Sequence, residues 1–354
     1  MFSGARSFNQ PIGAWDVSNV TNMNSMFRSS PFNQPIGAWD VSIVTTMRSM
    51  FADAESFNQP IGNWDVSSVT SMVVMFQGAI SFNQPIGDWD MSRVTEISQM
   101  FRDAVSFNQP IGNWDMSSVE EAYNMFNRAI NFNQPIGEWD FSSLLGIGGM
   151  FQGAASFNQF IGDWDVSNVT SLQSMFEGAV SFNQALDNWD VSNVPWMSRM
   201  FSSATSFDQD LGRWMLHPEV NLARFFDNSG MSCENYDLTL IGWSENPNTP
   251  DNRRLGAEGI HYWQAEEGRA KLVDEKGWTI TGDEFVEGCI KKDCDLSTPT
   301  LSIKSPYPVC TGEEVLLKAE VDGVEYTWFK DGQLIIGENE QVLVVTEAGF
   351  YSVT

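Results

Sequence analysis

The sequence is poor in the residues from which catalytic centres are usually built. It contains two histidines, His217 and His261, in dissimilar surroundings, and four cysteines. Few residues are therefore available to form a serine–histidine or cysteine–histidine catalytic pair. No glycine-rich segment has the spacing of a phosphate-binding or dinucleotide-binding loop. Acidic residues are plentiful, but they recur at equivalent positions and so lack the asymmetry that separates a general acid from a general base. These features predict a protein that is not an enzyme.

Basic residues and long apolar segments are also scarce. The chain has 19 Lys and Arg against 46 Asp and Glu, a net charge of −27. This excess disfavours binding to nucleic acid or to anionic lipid. No apolar run approaches the roughly 20 residues that span a bilayer, so we expect no direct membrane insertion. Met1-Phe2 aligns with the Met-Phe of later repeats and not with a signal peptide, which predicts that the chain is part of a longer polypeptide.

The four cysteines all lie in the last third of the chain, at Cys233, Cys289, Cys294 and Cys310. Four cysteines allow three pairings, and the sequence does not choose among them. Their clustering favours disulfides in an exported protein. Zinc is the alternative, although the spacings fit no zinc-ligand motif.

What the sequence does have is a repeat. Tryptophan recurs in steps of 25 residues, except for a first step of 24. A fixed period in this range indicates a solenoid with one supersecondary unit per coil. The tryptophans of the series are Trp15, Trp39, Trp64, Trp89, Trp114, Trp139, Trp164, Trp189 and Trp214.

Within one repeat, the spacing of apolar residues predicts a strand followed by a helix. Residues 61–66 place Ile, Trp and Val at positions 1, 4 and 6 of an L-x-x-L-x-L pattern, which favours a short strand. Residues 69–79 carry apolar side chains at i, i+3, i+6, i+7 and i+10, one face of a helix that Ser67 could cap. Residues 56–60 form the turn that returns the chain to the next strand.

The repeated unit F-N-Q-P-I-G-x-W-D-V-S-x-V-T-x-M-x-x-M-F-x-x-A, clearest at residues 57–79 and 107–129, resembles the BspA-type leucine-rich-repeat surface proteins of bacteria. The resemblance covers residues 1 to roughly 285. It implies an α/β solenoid, a leucine-rich-repeat-like right-handed coil of 25-residue strand–helix repeats. It also implies a non-catalytic, adhesin-like role at the bacterial cell surface or in the extracellular space. It names no ligand and supplies no catalytic residues.

The domain organisation follows from where the repeat ends. We expect the solenoid over residues 1–226 and a C-terminal cap over residues 227–288, with a helix at 236–244 and another at 265–276. Residues 289–298 read as a linker. Residues 299–354 contain several strand patterns and resemble an immunoglobulin-like or PKD-like module, of which they would form a partial β-sandwich.

Equivalent residues of successive repeats form columns, and two of these columns predict the structural contacts between coils. The phenylalanine that opens each unit, such as Phe57 and Phe82, would stack into an aromatic spine. The asparagine after it, such as Asn58 and Asn83, would form a ladder that satisfies backbone groups of the turn.

Two further columns flank the tryptophans and are the candidate ligand-binding positions. The aspartate after each tryptophan would face outward, and either local bonds to Ser or Thr stabilise it or it forms an acidic strip for calcium or a basic partner. The residue before each tryptophan varies, as a recognition face or an unconstrained solvent position would. The candidates are Asn63, Asp65, Asp88, Asp90, Asn113, Asp115, Glu138, Asp140, Asp163 and Asp165.

These observations lead to competing functions. The first is a surface protein whose solenoid binds a protein or glycan on another surface, without a cofactor apart from the calcium left open above. The second is an architectural spacer in a larger surface protein. A polysaccharide-associated accessory domain is a distant third.

Overall fold

The computed structural model describes residues 1–289, 300–301, 307–309, 315–319, 327–330, 333–335, 342–345 and 349–353. The chain divides into two compact units, Met1–Cys289 and Ile290–Thr354. Most of the expected linker, residues 290–298, lies outside the described residues, as do Cys294 and Cys310.

In the first unit, consecutive repeats are joined through equivalent residues. Isolated parallel bridges connect successive repeats along two runs of positions, and the bond from Thr170 N to Leu145 O joins the two runs. The first run is Asn22, Thr46, Ser71, Glu96, Glu121 and Gly146, and the second is Ser171, Trp196 and Asn221. Each repeat is therefore one coil, and its neighbours in sequence are its neighbours in space.

The backbone of each coil alternates between two kinds of hydrogen bond. The amides of residues 72, 74, 76 and 78 donate to the carbonyls of residues 96, 98, 100 and 102 in the next coil, at 2.8–2.9 Å. The amides of residues 75, 77 and 79 donate instead to carbonyls three residues earlier, at 3.0–3.3 Å. This ladder of bonds satisfies backbone groups that burial would otherwise leave without partners.

The predicted helix over residues 69–79 is wrong, and so is the predicted strand over residues 61–66. Within residues 1–232 the described backbone forms no α-helix and no strand longer than an isolated bridge. Val74 and Gly78 have φ of 62° and 64°, in the left-handed region, and such residues interrupt a helix. Turns that recur every three or four residues bury the same positions as a helix, so apolar spacing alone did not distinguish them.

The buried side chains are nevertheless those that the pattern predicts. Val69, Met72, Phe76 and Ala79 are all fully buried. The predicted phenylalanine spine is confirmed, with ring centroids of Phe57 and Phe82 5.9 Å apart and the rings stacked. A second aromatic column runs beside it through Phe51, Phe76, Phe101, Phe126, Phe151, Phe176 and Phe201.

The segment after the repeats extends the same ladder and adds helices. Its elements are α1 (Cys233–Glu245), β1 (Arg254–Gly256), β2 (His261–Tyr262), α2 (Glu266–Ala270), a π-helical turn (Lys271–Glu275), β3 (Thr279–Thr281) and β4 (Glu284–Phe285). Strand β1 pairs in parallel with β3, and β2 with β4. Leu222 bridges to Leu255 in β1, so this segment lies directly against the last coil.

Both helices expected in this segment are present, although the second is shorter and continues as the π-helical turn. Gly277 follows with φ of 68°, as a residue that ends a helix should. The prediction of a disulfide is confirmed for Cys233 and Cys289, which are bonded to each other.

The described residues of the second unit form two sheets. Strands β5 (Thr300–Leu301), β7 (Val315–Ala319) and β10 (Val342–Val345) form one, in the order β10-β7-β5. Strands β6 (Tyr307–Val309), β8 (Trp328–Lys330), β9 (Gln333–Leu334) and β11 (Gly349–Val353) form the other, in the order β6-β11-β8-β9. Trp328 and Leu343 are buried. The immunoglobulin-like assignment stays a prediction.

Candidate binding surface

The tryptophan of each repeat is buried beneath one outer surface. Trp64 and Trp89 are each 3% exposed, and their indole Nε1 atoms donate to the carbonyls of Ile36 and Ile61 in the preceding coil, at 3.2 Å. The same bond recurs at every later tryptophan of the series. These bonds fix the backbone on both sides of each tryptophan.

All ten candidate ligand-binding residues are exposed on this surface. They lie in two columns, one before and one after the buried tryptophans, and successive members come from successive coils. We call these two columns the tryptophan face. Coils joined by a parallel ladder are about 4.8 Å apart, so the candidates form two regular rows of polar groups. Among the described residues, no three His, Cys, Asp or Glu side chains converge to hold a metal ion.

The aspartate column makes local hydrogen bonds. Asp65 Oδ1 accepts from the amide of Ser67 at 3.1 Å and from its hydroxyl at 2.6 Å. Asp90 accepts the same pair of bonds from Ser92, at 3.0 and 2.6 Å. The local interpretation of this column is therefore confirmed, whereas its binding to a basic partner stays a prediction.

These bonds also favour the charged form of four members of the column. The serine hydroxyl, and after it the serine amide, holds the pKa of Asp16, Asp40, Asp90 and Asp165 below the usual value of 3.8. At neutral pH Asp90 and Asp165 therefore present carboxylates on the tryptophan face.

The asparagine column is structural, as expected. Asn33 Oδ1 accepts from the backbone amide of Asn58 and from Gln59 Nε2 in the next coil, both at 2.9 Å. The arrangement repeats through the later coils until Asp208 replaces the asparagine. These side chains link the turns of neighbouring coils by hydrogen bonds. Their Oδ1 atoms are therefore already used as acceptors.

The outer side of the backbone ladder carries aromatic residues that sequence reasoning missed. Leu145 and Trp196 are 52% and 54% exposed, and Tyr123 is half-buried between them and the preceding coils. The spacing of apolar residues predicts a helix with an apolar inner face for this stretch of the repeat, and a helix would not bring these side chains together. Alignment of the repeats places Tyr123 between Ser98 and Gly148, and Trp196 between Ser171 and Asn221, so both aromatic residues differ from the equivalent residues of the neighbouring repeats.

The polar cluster near the end of the first unit is structural. Arg269 makes two bonds to Asp283, Nε to Oδ2 at 2.6 Å and Nη2 to Oδ1 at 2.8 Å, and Tyr236 donates its hydroxyl to the same carboxylate at 3.2 Å. Burial, and after it the charge of Asp283, raises the pKa of Tyr236 well above its usual value. The cluster has no free group for chemistry within these contacts, because each member binds another.

The two histidines lie apart and contact different groups. His217 Nδ1 accepts from the backbone amide of Glu219 at 3.0 Å, and His261 Nε2 lies 3.9 Å from a carboxylate oxygen of Glu284. Neither contact includes a Ser or Cys nucleophile. In the part of the chain that the structure describes, no helix is long and apolar enough to cross a membrane.

Comparison with known proteins gives one family. The family described as "Mycoplasma protein of unknown function, DUF285" matches residues 1–73, 59–159 and 129–238, so that the three matches together cover residues 1–238 of the 354. A search of curated proteins found no match. The matched range contains all of the coils and all ten candidate residues.

Proposed function

The chain belongs to the DUF285 family, and we propose that it is a non-enzymatic, adhesin-like repeat protein that presents the tryptophan face to a protein or glycan ligand. Its place of action would be the extracellular space or the bacterial cell surface. The coils would form a right-handed, leucine-rich-repeat-like solenoid of the BspA type, and the second unit would be an immunoglobulin-like module that joins it to the rest of a longer polypeptide.

The observation that carries this proposal is the contrast between the two sides of each tryptophan. The position after it is aspartate in eight successive repeats and is bound to the local serine. The position before it changes from Asn63 to Asp88, Asn113 and Glu138 while the supporting tryptophan stays buried and bonded. Chemical variety on a fixed frame is what a recognition surface requires.

A spacer is the competing function, and one observation favours it. The aspartate–serine bonds explain the acidic column without any ligand, because the serine amide, and in most repeats also the serine hydroxyl, donates to the carboxylate and offsets the repulsion between neighbouring coils. In that case the solenoid would only hold a distal domain away from its anchor.

Binding to glycan and extracellular-protein arrays separates the two functions. The full chain would be compared with a variant in which Asn63, Asp88, Asn113, Glu138 and Asp163 are all replaced by Ala. A control would replace the exposed Glu55, Ser81 and Asn131, which are not part of the tryptophan face, by Ala. We expect the first variant to lose binding and the control to keep it.

Two results would contradict the proposal. Absence of any array ligand for the full chain, together with no shift in melting temperature on calcium titration, would support the spacer. A ligand that binds the five-fold variant as well as the unchanged chain would show that the tryptophan face is not the binding surface.

A further inference from the structure

The outer side of the backbone ladder carries a second surface with its own chemistry, formed by Tyr123, Leu145, Gly146, Gln173 and Trp196. We call it the ladder-face patch. It lies on four successive coils, because the bridges Glu121 to Gly146 and Ser171 to Trp196 join the first pair and the last pair, and the bond from Thr170 N to Leu145 O joins the middle pair at 3.1 Å.

Tyr123 lies flat across the next coil because that coil has glycines beneath it. A Cβ built on Gly146 would overlap Cζ and the hydroxyl of the Tyr123 ring, and a Cβ on Gly148 would lie 3.6 Å from its Cδ1. The ring thus spans two glycines at positions where other repeats carry side chains such as Ser71 and Val73. The Tyr123 side chain stays partly exposed in this position, so that part of it can contact a ligand.

Trp196 supplies a second exposed ring on the same side of the ladder. It stands two coils beyond the coil that Tyr123 covers, a separation of about 10 Å at the spacing of a parallel ladder. Trp196 is 54% exposed, whereas the tryptophans of the repeated series from Trp39 onward are at most 4% exposed. Its backbone is held, since its carbonyl accepts from the amide of Leu172 at 2.8 Å.

Polar side chains occupy the coil between the two rings. Ser171 is half-buried and Gln173 is exposed there, and the exposed Thr170 lies beside Leu145. Hydroxyl and amide groups of this kind donate and accept hydrogen bonds without charge. The patch thus has two aromatic platforms with neutral polar groups between them.

We propose that the ladder-face patch binds a neutral oligosaccharide, with Tyr123 and Trp196 as the stacking platforms. The apolar faces of sugar rings pack on aromatic rings, and their hydroxyl groups pair with amide and hydroxyl side chains such as those of Gln173 and Ser171. The net charge of −27 disfavours sugars that carry carboxylate or sulfate, so the ligand is an uncharged glycan. The inference deepens the proposed function, on which it rests, and adds a second binding surface to it.

Isothermal titration of the full chain tests the proposal with four uncharged probes: cellotetraose, maltotetraose, mannotetraose and N-acetylchitotetraose. We expect at least one to bind. Tyr123→Ala and Trp196→Ala should each raise its Kd by about tenfold, which corresponds to about 1.4 kcal/mol. Tyr123→Phe keeps the ring and should keep the affinity within a factor of about two.

Controls separate stacking from general damage. Trp263→Ala removes another exposed aromatic side chain, 38% exposed and outside the patch, and should leave the Kd unchanged. Circular dichroism and melting temperature would verify that each variant is folded.

The failure of this inference differs from the failure of the proposed function. If none of the four probes binds, or if a probe binds equally well to Tyr123→Ala and Trp196→Ala, the patch is not a glycan site. A peptide that binds the patch in place of sugar would also overturn it. In each case an array ligand lost on substitution of the tryptophan face would still support the proposed function.

Discussion

The repeated coils and the segment that follows them are stabilised in different ways. In the coils each contact recurs, so that Phe101 stacks on Phe76 and on Phe126 at the same 5.6 Å. In residues 231–289 the important contacts occur once. The buried Asp237 accepts from three successive amides, those of residues 263, 264 and 265, and the Cys233–Cys289 disulfide closes the segment.

The comparison shows how position in a stack decides which interactions are used. A central coil has an equivalent neighbour on each side, so repetition of a few apolar contacts suffices. The final segment continues the ladder from Leu222 but lacks an equivalent repeat motif of its own. In the final segment, specific polar contacts and a disulfide bond replace the repeated apolar contacts of the coils. Four substitutions test whether the two regions are stabilised separately.

The largest effect is expected from Phe101→Ala. The side chain is fully buried and stacks on two neighbouring coils, so its truncation should lower the free energy of unfolding by about 3–5 kcal/mol. Chemical denaturation followed by tryptophan fluorescence measures the change. Phe2→Ala, at the half-buried equivalent position in the first coil, is the matched control and should cost less. Equal losses at the two positions would argue against a stack in which central coils depend on both neighbours.

Asp283→Ala should have the next largest effect, confined to the final segment. It leaves the Arg269 guanidinium and the buried Tyr236 hydroxyl without their carboxylate, a loss of about 3 kcal/mol. Hydrogen exchange should show faster exchange in β1 and β3 and little change in the coils around Phe101. Glu284→Ala, an exposed neighbour, is the control. Faster exchange throughout residues 1–232 would contradict the separation of the two regions.

Asn108→Ala tests one rung of the asparagine ladder. The change removes the acceptor for the backbone amide of Asn133 and for Gln134 Nε2, both at 2.9 Å, and should destabilise the protein by about 1–3 kcal/mol. Asn113→Ala, on the exposed tryptophan face of the same repeat, should cost far less. Thermal melting of the two variants side by side measures the difference, and a larger loss for Asn113 would reverse our assignment of structural and surface roles.

The smallest expected effect is on the melting temperature at acidic pH. Serine bonds lower the folded-state pKa of Asp90 below 3.8, so the folded state binds fewer protons than the unfolded state. The contribution of this carboxylate is present above the unfolded pKa and is lost as pH falls through the folded pKa. Melting temperatures from about pH 5 to about pH 2 should therefore fall slightly less for Asp90→Asn than for the unchanged chain. Identical pH profiles would show that the bond to Ser92 adds nothing measurable.

The sequence predicted the repeat and its interior well, and the backbone conformation poorly. Burial of Val69, Met72 and Phe76 follows from their spacing whatever the backbone does. The left-handed residues that redirect the amides gave no consistent signal, because Val74 and Gln99 adopt φ of 62° and 60° where glycine would be expected. Tertiary bonding between coils overrides local preference there.

The same limit applies to the candidate sites. Exposure of the tryptophan face could be predicted, since polar positions alternate with a buried tryptophan. The bonds from Ser67 to Asp65 could also be anticipated from their spacing. The ladder-face patch could not, because Tyr123 and Trp196 are 73 positions apart and a helical interpretation places them on unrelated surfaces.

Equivalent residues of successive repeats stack in register. Electron–electron distance measurements between non-cysteine spin labels at exposed positions test it most directly. Pairs at positions 63 and 113, and at positions 63 and 188, are two and five coils apart. The second separation should exceed the first by about 14 Å, three steps of a parallel ladder. Equal separations for the two pairs would show that the repeats do not stack in register.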